Sequence, residues 1–124
     1  MNAPRSLIAV VDDDESVRES LPGLLRVLGY DAQAFSSAKC FLSSNAVAES
    51  NCLVLDIAMP EVSGPELAEE LRRMGNQLPI IFITAHRHEV ESPRVQAQHP
   101  RACLLKPFSD TALANAVEAA LRAV

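Results

Sequence analysis

The residues of this chain that could do chemistry stand at the ends of apolar runs. Leu7-Ile8-Ala9-Val10-Val11 leads into three consecutive acids, Asp12, Asp13 and Asp14. Cys52-Leu53-Val54-Leu55 ends in Asp56, and Ile80-Ile81-Phe82-Ile83 ends in Thr84. Cys103-Leu104-Leu105 ends in Lys106, followed by Pro107. Adjacent carboxylates repel one another and resist desolvation, so a fold keeps them where water, a cation or a helix N-terminus meets the charge. Clustered acids suit Mg²⁺, which retains several waters and accepts few protein oxygens. With a divalent cation present, a carboxylate can attack phosphorus as a nucleophile. A hydroxyl and an ammonium can then hold the oxygens of the group in transfer. Asp56 is the best nucleophile candidate, because it is a lone acid ending an apolar strand.

The elements that must position these residues follow from hydrophobic patterning. Strands are expected at Leu7–Asp12, Asp31–Phe35, Cys52–Asp56, Ile80–Thr84 and Ala102–Lys106, with helical patterns between and after them. The first and third runs barely alternate, as strands covered on both faces do, while Asp31–Phe35 alternates like an edge strand. Repeated βα units imply a parallel sheet with right-handed crossovers, and ligands then gather outside the carboxyl ends of the strands. All the polar strand ends thus fall on one rim.

The helices have readable starts and stops. Val17, Leu21, Leu24, Leu25 and Leu28 keep helical spacing, and Gly29 is the stop signal. Asp14 belongs at the start of this helix, where negative charge is favourable. Ser36 and Ser37 can start a short second helix, Pro65 suits the first turn of the next, and Gly75-Asn76 ends that one. Ser109 can cap the last helix, whose buried stripe is Leu113, Val117 and Leu121. Two helices carry flaws. Pro22-Gly23 lies inside the first, where a kink or irregularity is expected at a cost of about 3 kcal/mol. The segment between Thr84 and Lys106 is bracketed by Pro93 and Pro100. It has room for one helix of about two turns, starting at Ser92-Pro93.

Composition bounds the function. A chain of 124 residues that is 48% hydrophobic fits one domain, 1–124, with a real core built without Trp. A net charge of −5 with no basic cluster argues against direct nucleic-acid or anionic-membrane binding. No run is long enough to span a membrane, and residues 1–6 lack a signal-peptide pattern. Cys40, Cys52 and Cys103 are odd in number and widely spaced, so they read as thiols of a reducing compartment, the cytoplasm, rather than a disulfide framework. His86 and His88 lack a third metal ligand at suitable spacing and read as loop histidines.

The chain resembles the receiver domain of bacterial two-component response regulators over residues 6–123. The resemblance rests on Val10-Val11-Asp12-Asp13, on Leu55-Asp56 followed by Met59-Pro60 and Gly64, on Thr84-Ala85, on Lys106-Pro107-Phe108, and on the spacings between them. It implies a flavodoxin-like, doubly wound five-stranded parallel sheet of order 2-1-3-4-5, here with an abnormally short fourth helix. It further implies that Asp56 accepts a phosphoryl group from a sensor histidine kinase, a phosphotransfer protein or a small phosphodonor. Asp13, Asp56 and the backbone carbonyl of Ala58 would bind Mg²⁺, with Asp12 acting mainly through a metal-bound water. Thr84 and Lys106 would hold phosphoryl oxygens, and Lys106-Pro107 would be a cis bond. Ala58 and His86 stand where the family tunes hydrolysis of the acyl phosphate. The only turnover implied is self-phosphorylation and autodephosphorylation.

The stretch Asp13-Asp14-Glu15-Ser16-Val17-Arg18 is similar to regulators that carry a C-terminal helix-turn-helix DNA-binding domain, which would lie outside this chain and act in transcription. A homodimer through the fourth-helix face belongs to the same expectation. Cys103 departs from the pattern, because the family usually has Tyr or Phe there. That shifts the expected output route to the segment Arg87–Arg101, where phosphorylation would be coupled to order. Two rival readings remain. One is a haloacid-dehalogenase-type phosphatase using Asp12-x-Asp14, which leaves Asp56 unexplained. The other is a pseudo-receiver that only binds protein.

Overall fold

A computed structural model describes residues 5–122. In chain order the elements are β1 (Leu7–Val11), α1 (Glu15–Val27), β2 (Asp31–Phe35), α2 (Ala38–Leu42), α3 (Ala46–Glu49), β3 (Cys52–Asp56), α4 (Gly64–Arg73), β4 (Ile80–Thr84), α5 (Arg87–Val90), α6 (Pro93–Gln96), β5 (Ala102–Leu105) and α7 (Asp110–Arg122). All strand pairs are parallel, and the sheet order is β2-β1-β3-β4-β5. This is the flavodoxin-like arrangement expected from the sequence.

The missing alternation in β1, β3 and β4 has a direct cause. Successive side chains of a strand point to opposite faces, and both faces are covered. Ala9, Val11, Leu53, Leu55, Ile80 and Phe82 join one buried layer with Phe41 of α2, Leu67 and Leu71 of α4, and Val95 of α6. Ile8, Val10, Val54, Ile81 and Ile83 join the other with Leu21 and Leu25 of α1 and Leu113 and Val117 of α7. β2 is an edge strand, and its Asp31 and Gln33 are exposed. Among the described residues no helix is long and apolar enough to cross a membrane.

The helix signals hold in detail. The Asp14 carboxylate accepts from Ser16 N at 2.9 Å and caps α1, and Ser37 caps α2. Ser109 Oγ accepts from Ala112 N at 3.0 Å at the start of α7. α1 closes at Gly29, whose φ of 106° lies in the left-handed region that glycine adopts without strain. α4 opens on a full capping box, in which Ser63 Oγ accepts from Glu66 N and the Glu66 carboxylate accepts from Ser63 N.

Four details differ from the sequence reading. β1 and β5 stop one residue earlier than expected, at Val11 and Leu105. Asp12 N still donates to Phe35 O and Lys106 N to Thr84 O, so both backbones continue the ladder before the chain turns. α1 runs unbroken through Pro22. The ring costs the helix one donor, the one that would serve Arg18 O, and it is buried with Leu21 and Leu25 on the core side. α3 was not expected, since a single turn leaves little periodicity to read. The segment between β4 and β5 holds two one-turn helices, α5 and α6, rather than one of two turns. Pro93 opens α6, and α5 closes on Glu91 just before it.

Candidate functional site

β1, β3 and β4 are adjacent and parallel, so their carboxyl ends bring Asp12, Asp56 and Thr84 together although they are far apart in sequence. These three are the buried polar side chains among the described residues, at 0%, 6% and 1% exposure. Each follows four consecutive strand residues that are fully buried. The sheet core therefore fixes where the polar atoms stand. Asp13 is exposed beside them.

Carboxylate oxygens of Asp12, Asp13 and Asp56 all lie within 4.8 Å of one another, the one such cluster of three or more possible metal ligands among the described residues. Lys106 closes the group from β5. Its Nζ is 2.8 Å from Asp12 Oδ2 and 3.7 Å from Asp56 Oδ1. Both oxygens of Asp12 are engaged, because Oδ1 accepts from Asp14 N at 2.9 Å. Its backbone carbonyl accepts from Arg18 at 3.1 Å. Asp12 is thus held at three points, while Asp13 is exposed at the rim.

The electrostatics follow from three acids facing one ammonium. Burial pushes the Asp56 carboxyl up, and the charge of Asp12 pushes it further. Lys106 pulls it back, and hydrogen bonding with Asp13 adds to the rise, so the value stands at about 7. For Lys106, burial disfavours the charged form. The hydrogen bond to Asp12 and the charges of Asp56 and Asp12 outweigh that and leave its pKa raised. A carboxyl pushed toward neutrality by burial and then by neighbouring acids marks a cluster short of positive charge. The donor set fits a hard divalent cation such as Mg²⁺, which would supply that charge.

The connection from β3 to α4 is locked against Asp56. Ile57 N donates to Ile83 O at 3.0 Å, and Gly64 N donates to Ile57 O at 2.9 Å. A Cβ on Gly64 would stand 2.3 Å from Asp56 O, so any side chain there collides with the backbone of the nucleophile candidate. Ala58, whose carbonyl was expected among the metal ligands, is exposed at the start of this connection. The Lys106-Pro107 peptide is cis, as the resemblance implied.

Thr84 is engaged on the other side of the site. Its hydroxyl donates to a carboxylate oxygen of Glu89 and accepts from His86 N at 3.1 Å. The sequence reading missed Glu89, because a lone acid in a four-residue helix carries no periodicity signal. It also treated Gly64 only as part of a motif. Cys103 is half-buried against the layer that contains Phe82 and Val95, and burial raises its thiol. Cys52 is fully buried, its thiol pushed up to about 12 by burial. The His86 and His88 rings are 5.8 Å apart and, among the described residues, belong to no cluster of three possible ligands.

Comparison with known proteins gives a consistent picture. A family profile described as response regulator receiver domain matches residues 8–118. The response regulator protein TodT of Pseudomonas putida is 36% identical over 122 residues, which are 98% of this chain and 54% of TodT. The chain spans about half the length of that relative. The solved structure of the response regulator StyR superposes with a TM-score of 0.87 at 41% identity, covering 95% of this chain and 60% of StyR. The response regulator TrrA of Thermotoga maritima, solved in complex with Mg²⁺ and a beryllium fluoride, superposes with a TM-score of 0.83 at 29% identity, covering 94% of this chain and 99% of TrrA.

Proposed function

This chain belongs to the response regulator receiver family, and from that premise we propose that it is a phosphorylation-dependent switch with Asp56 as its phosphoacceptor. The observation that carries the reading is the convergence of buried Asp56 with Asp12, Asp13 and the Lys106 ammonium at one rim. In the proposed step an Asp56 carboxylate oxygen bonds to phosphorus while the bond from phosphorus to the donor breaks. The donor is the phosphohistidine of a sensor kinase or phosphotransfer protein. Lys106 stands close enough to meet the oxygens of the incoming group. The donor set of Asp12, Asp13 and Asp56, with the carbonyl of Ala58, suits Mg²⁺, which would offset the charge of the carboxylates and the phosphoryl group.

The geometry also weighs against the rival readings. A phosphatase of the haloacid-dehalogenase type would use Asp12 as nucleophile, which leaves the buried Asp56 at the end of β3 without a role. A binding-only pseudo-receiver has no need of three carboxylates and an ammonium gathered at one rim. An output domain following residue 124, DNA binding by that domain, transcriptional control and a cytoplasmic location all extend the same proposal. The length of TodT beyond the 54% that the chain covers supports a further domain, and the transcriptional regulatory protein FixJ of Azorhizobium caulinodans, 37% identical over 119 residues, supports the transcriptional role.

Intact-mass measurement after incubation with acetyl phosphate and Mg²⁺ tests it. The expected result is one phosphoryl adduct that is absent in Asp56→Asn. Release of inorganic phosphate that continues in Asp56→Asn would favour the phosphatase. No adduct in the unmodified protein would favour the binding module.

A further inference from the structure

Thr84 carries a single hydroxyl proton, and that proton is committed to Glu89. The same oxygen accepts from His86 N. A buried hydroxyl in this state has nothing left to donate to a group on Asp56. Glu89 is half-buried in α5, a one-turn helix with no side-chain cap and no buried residue of its own. Among the described residues, α5 makes one side-chain hydrogen bond to β4, and it is this one. α5 in turn holds α6, because Gln96 Nε2 donates to Val90 O at 2.7 Å. α6 is tied to α4 by Arg94, 2.9 Å from Glu69. A continuous set of contacts therefore runs from the Thr84 hydroxyl through Glu89, α5 and α6 to the surface of α4.

We propose that Glu89 is a positioning residue that latches Thr84 away from Asp56, and that a phosphoryl group on Asp56 competes with Glu89 for the same hydroxyl proton. This rests on Asp56 being the phosphoacceptor. When the Thr84 hydroxyl instead donates its hydrogen bond to the phosphoryl oxygen, Glu89 loses its partner and α5 loses its tether. The change then passes to α6 and the α4 face. This gives the switch an exit that needs no aromatic ring at position 103, where the chain has Cys. It also names the contact by which the segment 87–101 senses the site.

The test uses beryllofluoride with Mg²⁺ as the phosphoryl mimic, read by binding affinity and by amide hydrogen exchange. In the unmodified protein the mimic is expected to lower protection at residues 87–92. Glu89→Ala removes the competitor, so it is expected to bind the mimic about three- to tenfold more tightly and to show the lowered protection before the mimic is added. In a Thr84→Ala background, Glu89→Ala is expected to change affinity by less than about twofold. Glu89→Gln, which keeps an acceptor oxygen, is expected to recover part of the latch.

Unchanged affinity in Glu89→Ala would overturn the latch. So would an equal gain in the Thr84→Ala background, or a full gain in Glu89→Gln, since both would mean that Glu89 acts only through its charge. Acetyl phosphate labelling of the unmodified protein separates the two levels. A phosphoryl adduct with no Glu89 effect sinks the latch alone, whereas no adduct and no mimic binding sink the phosphoacceptor reading and the latch with it.

Discussion

The crossover from β3 to β4 and the crossover from β4 to β5 leave the same rim of the same sheet, yet they are held by different kinds of contact. The first descends through α4, ten residues with a complete capping box and five buried positions. Its start is pinned by backbone hydrogen bonds beside Asp56 and by Gly64 against the Asp56 carbonyl. The second has two single turns with no side-chain caps, and its one buried residue within the helices is Val95. Besides short-range backbone hydrogen bonds and the packing of Val95, side-chain contacts hold it, from Glu89 to Thr84, Gln96 to Val90, and Arg94 to Glu69. The first crossover thus fixes a nucleophile candidate through its own local chemistry. The second draws more of its hold from side chains, and one of their partners is a residue of the site. A receiver needs both properties, a rigid acceptor and a segment whose order is conditional.

The comparison can be broken most severely at Gly64. A methyl group there meets Asp56 O at 2.3 Å, and that backbone cannot yield without moving the proposed phosphoacceptor. Gly64→Ala is expected to destabilise the protein by about 3 kcal/mol in urea unfolding and to slow labelling by acetyl phosphate. A loss under about 1 kcal/mol would mean that the connection is looser than its hydrogen bonds imply.

Asp56→Asn should act in the opposite direction. The folded protein holds the Asp56 proton to about 7, against an ordinary value of 3.8. The folded state therefore binds this proton more tightly than the unfolded state. This residue's contribution is fully present below 3.8 and is lost as pH rises through about 7. In metal-free buffer at pH 8, Asp56→Asn is expected to gain about 2 kcal/mol. Mg²⁺ should narrow the gap by stabilising the unmodified protein. Equal stabilities of the two proteins across this pH range would show that the carboxylates do not strain the rim.

Two smaller substitutions sharpen the contrast between the crossovers. Ser63→Ala removes the capping oxygen of α4 and is expected to cost about 1 kcal/mol of global stability. Arg94→Ala breaks exposed ion pairs to Glu69 and Glu66, which contribute little to global stability. It should leave the urea midpoint unchanged while raising hydrogen exchange in α6. A midpoint shift as large as that of Ser63→Ala would place the second crossover in the cooperative core and remove the distinction.

The first crossover was legible from sequence because its signals are local. Pro65, the Leu67 and Leu71 stripe and Gly75 each act within a turn or two of their own position, whereas the Ser63 capping box emerged only with the structure. The second was legible only in outline. Pro93 announced a short helix, but a single turn gives periodicity no room, so the split into α5 and α6 and the chemistry of Glu89 went unseen. At Pro22 the helix assignment continues through the missing donor, with the ring buried on the core side of α1.

The sequence by itself determined the strands, the acids, hydroxyl and ammonium at their ends, and the caps of the longer helices, because these depend on apolar period and on hydrogen bonds between near neighbours. Strand adjacency alone decided the rest. Parallel pairing of β1, β3, β4 and β5 brings Asp12, Asp56, Thr84 and Lys106 to one rim. Burial there raises Asp56, engages both oxygens of Asp12 and turns the Thr84 hydroxyl toward Glu89. Desolvation and charge proximity are properties of three-dimensional neighbours, so no spacing along the chain can carry them.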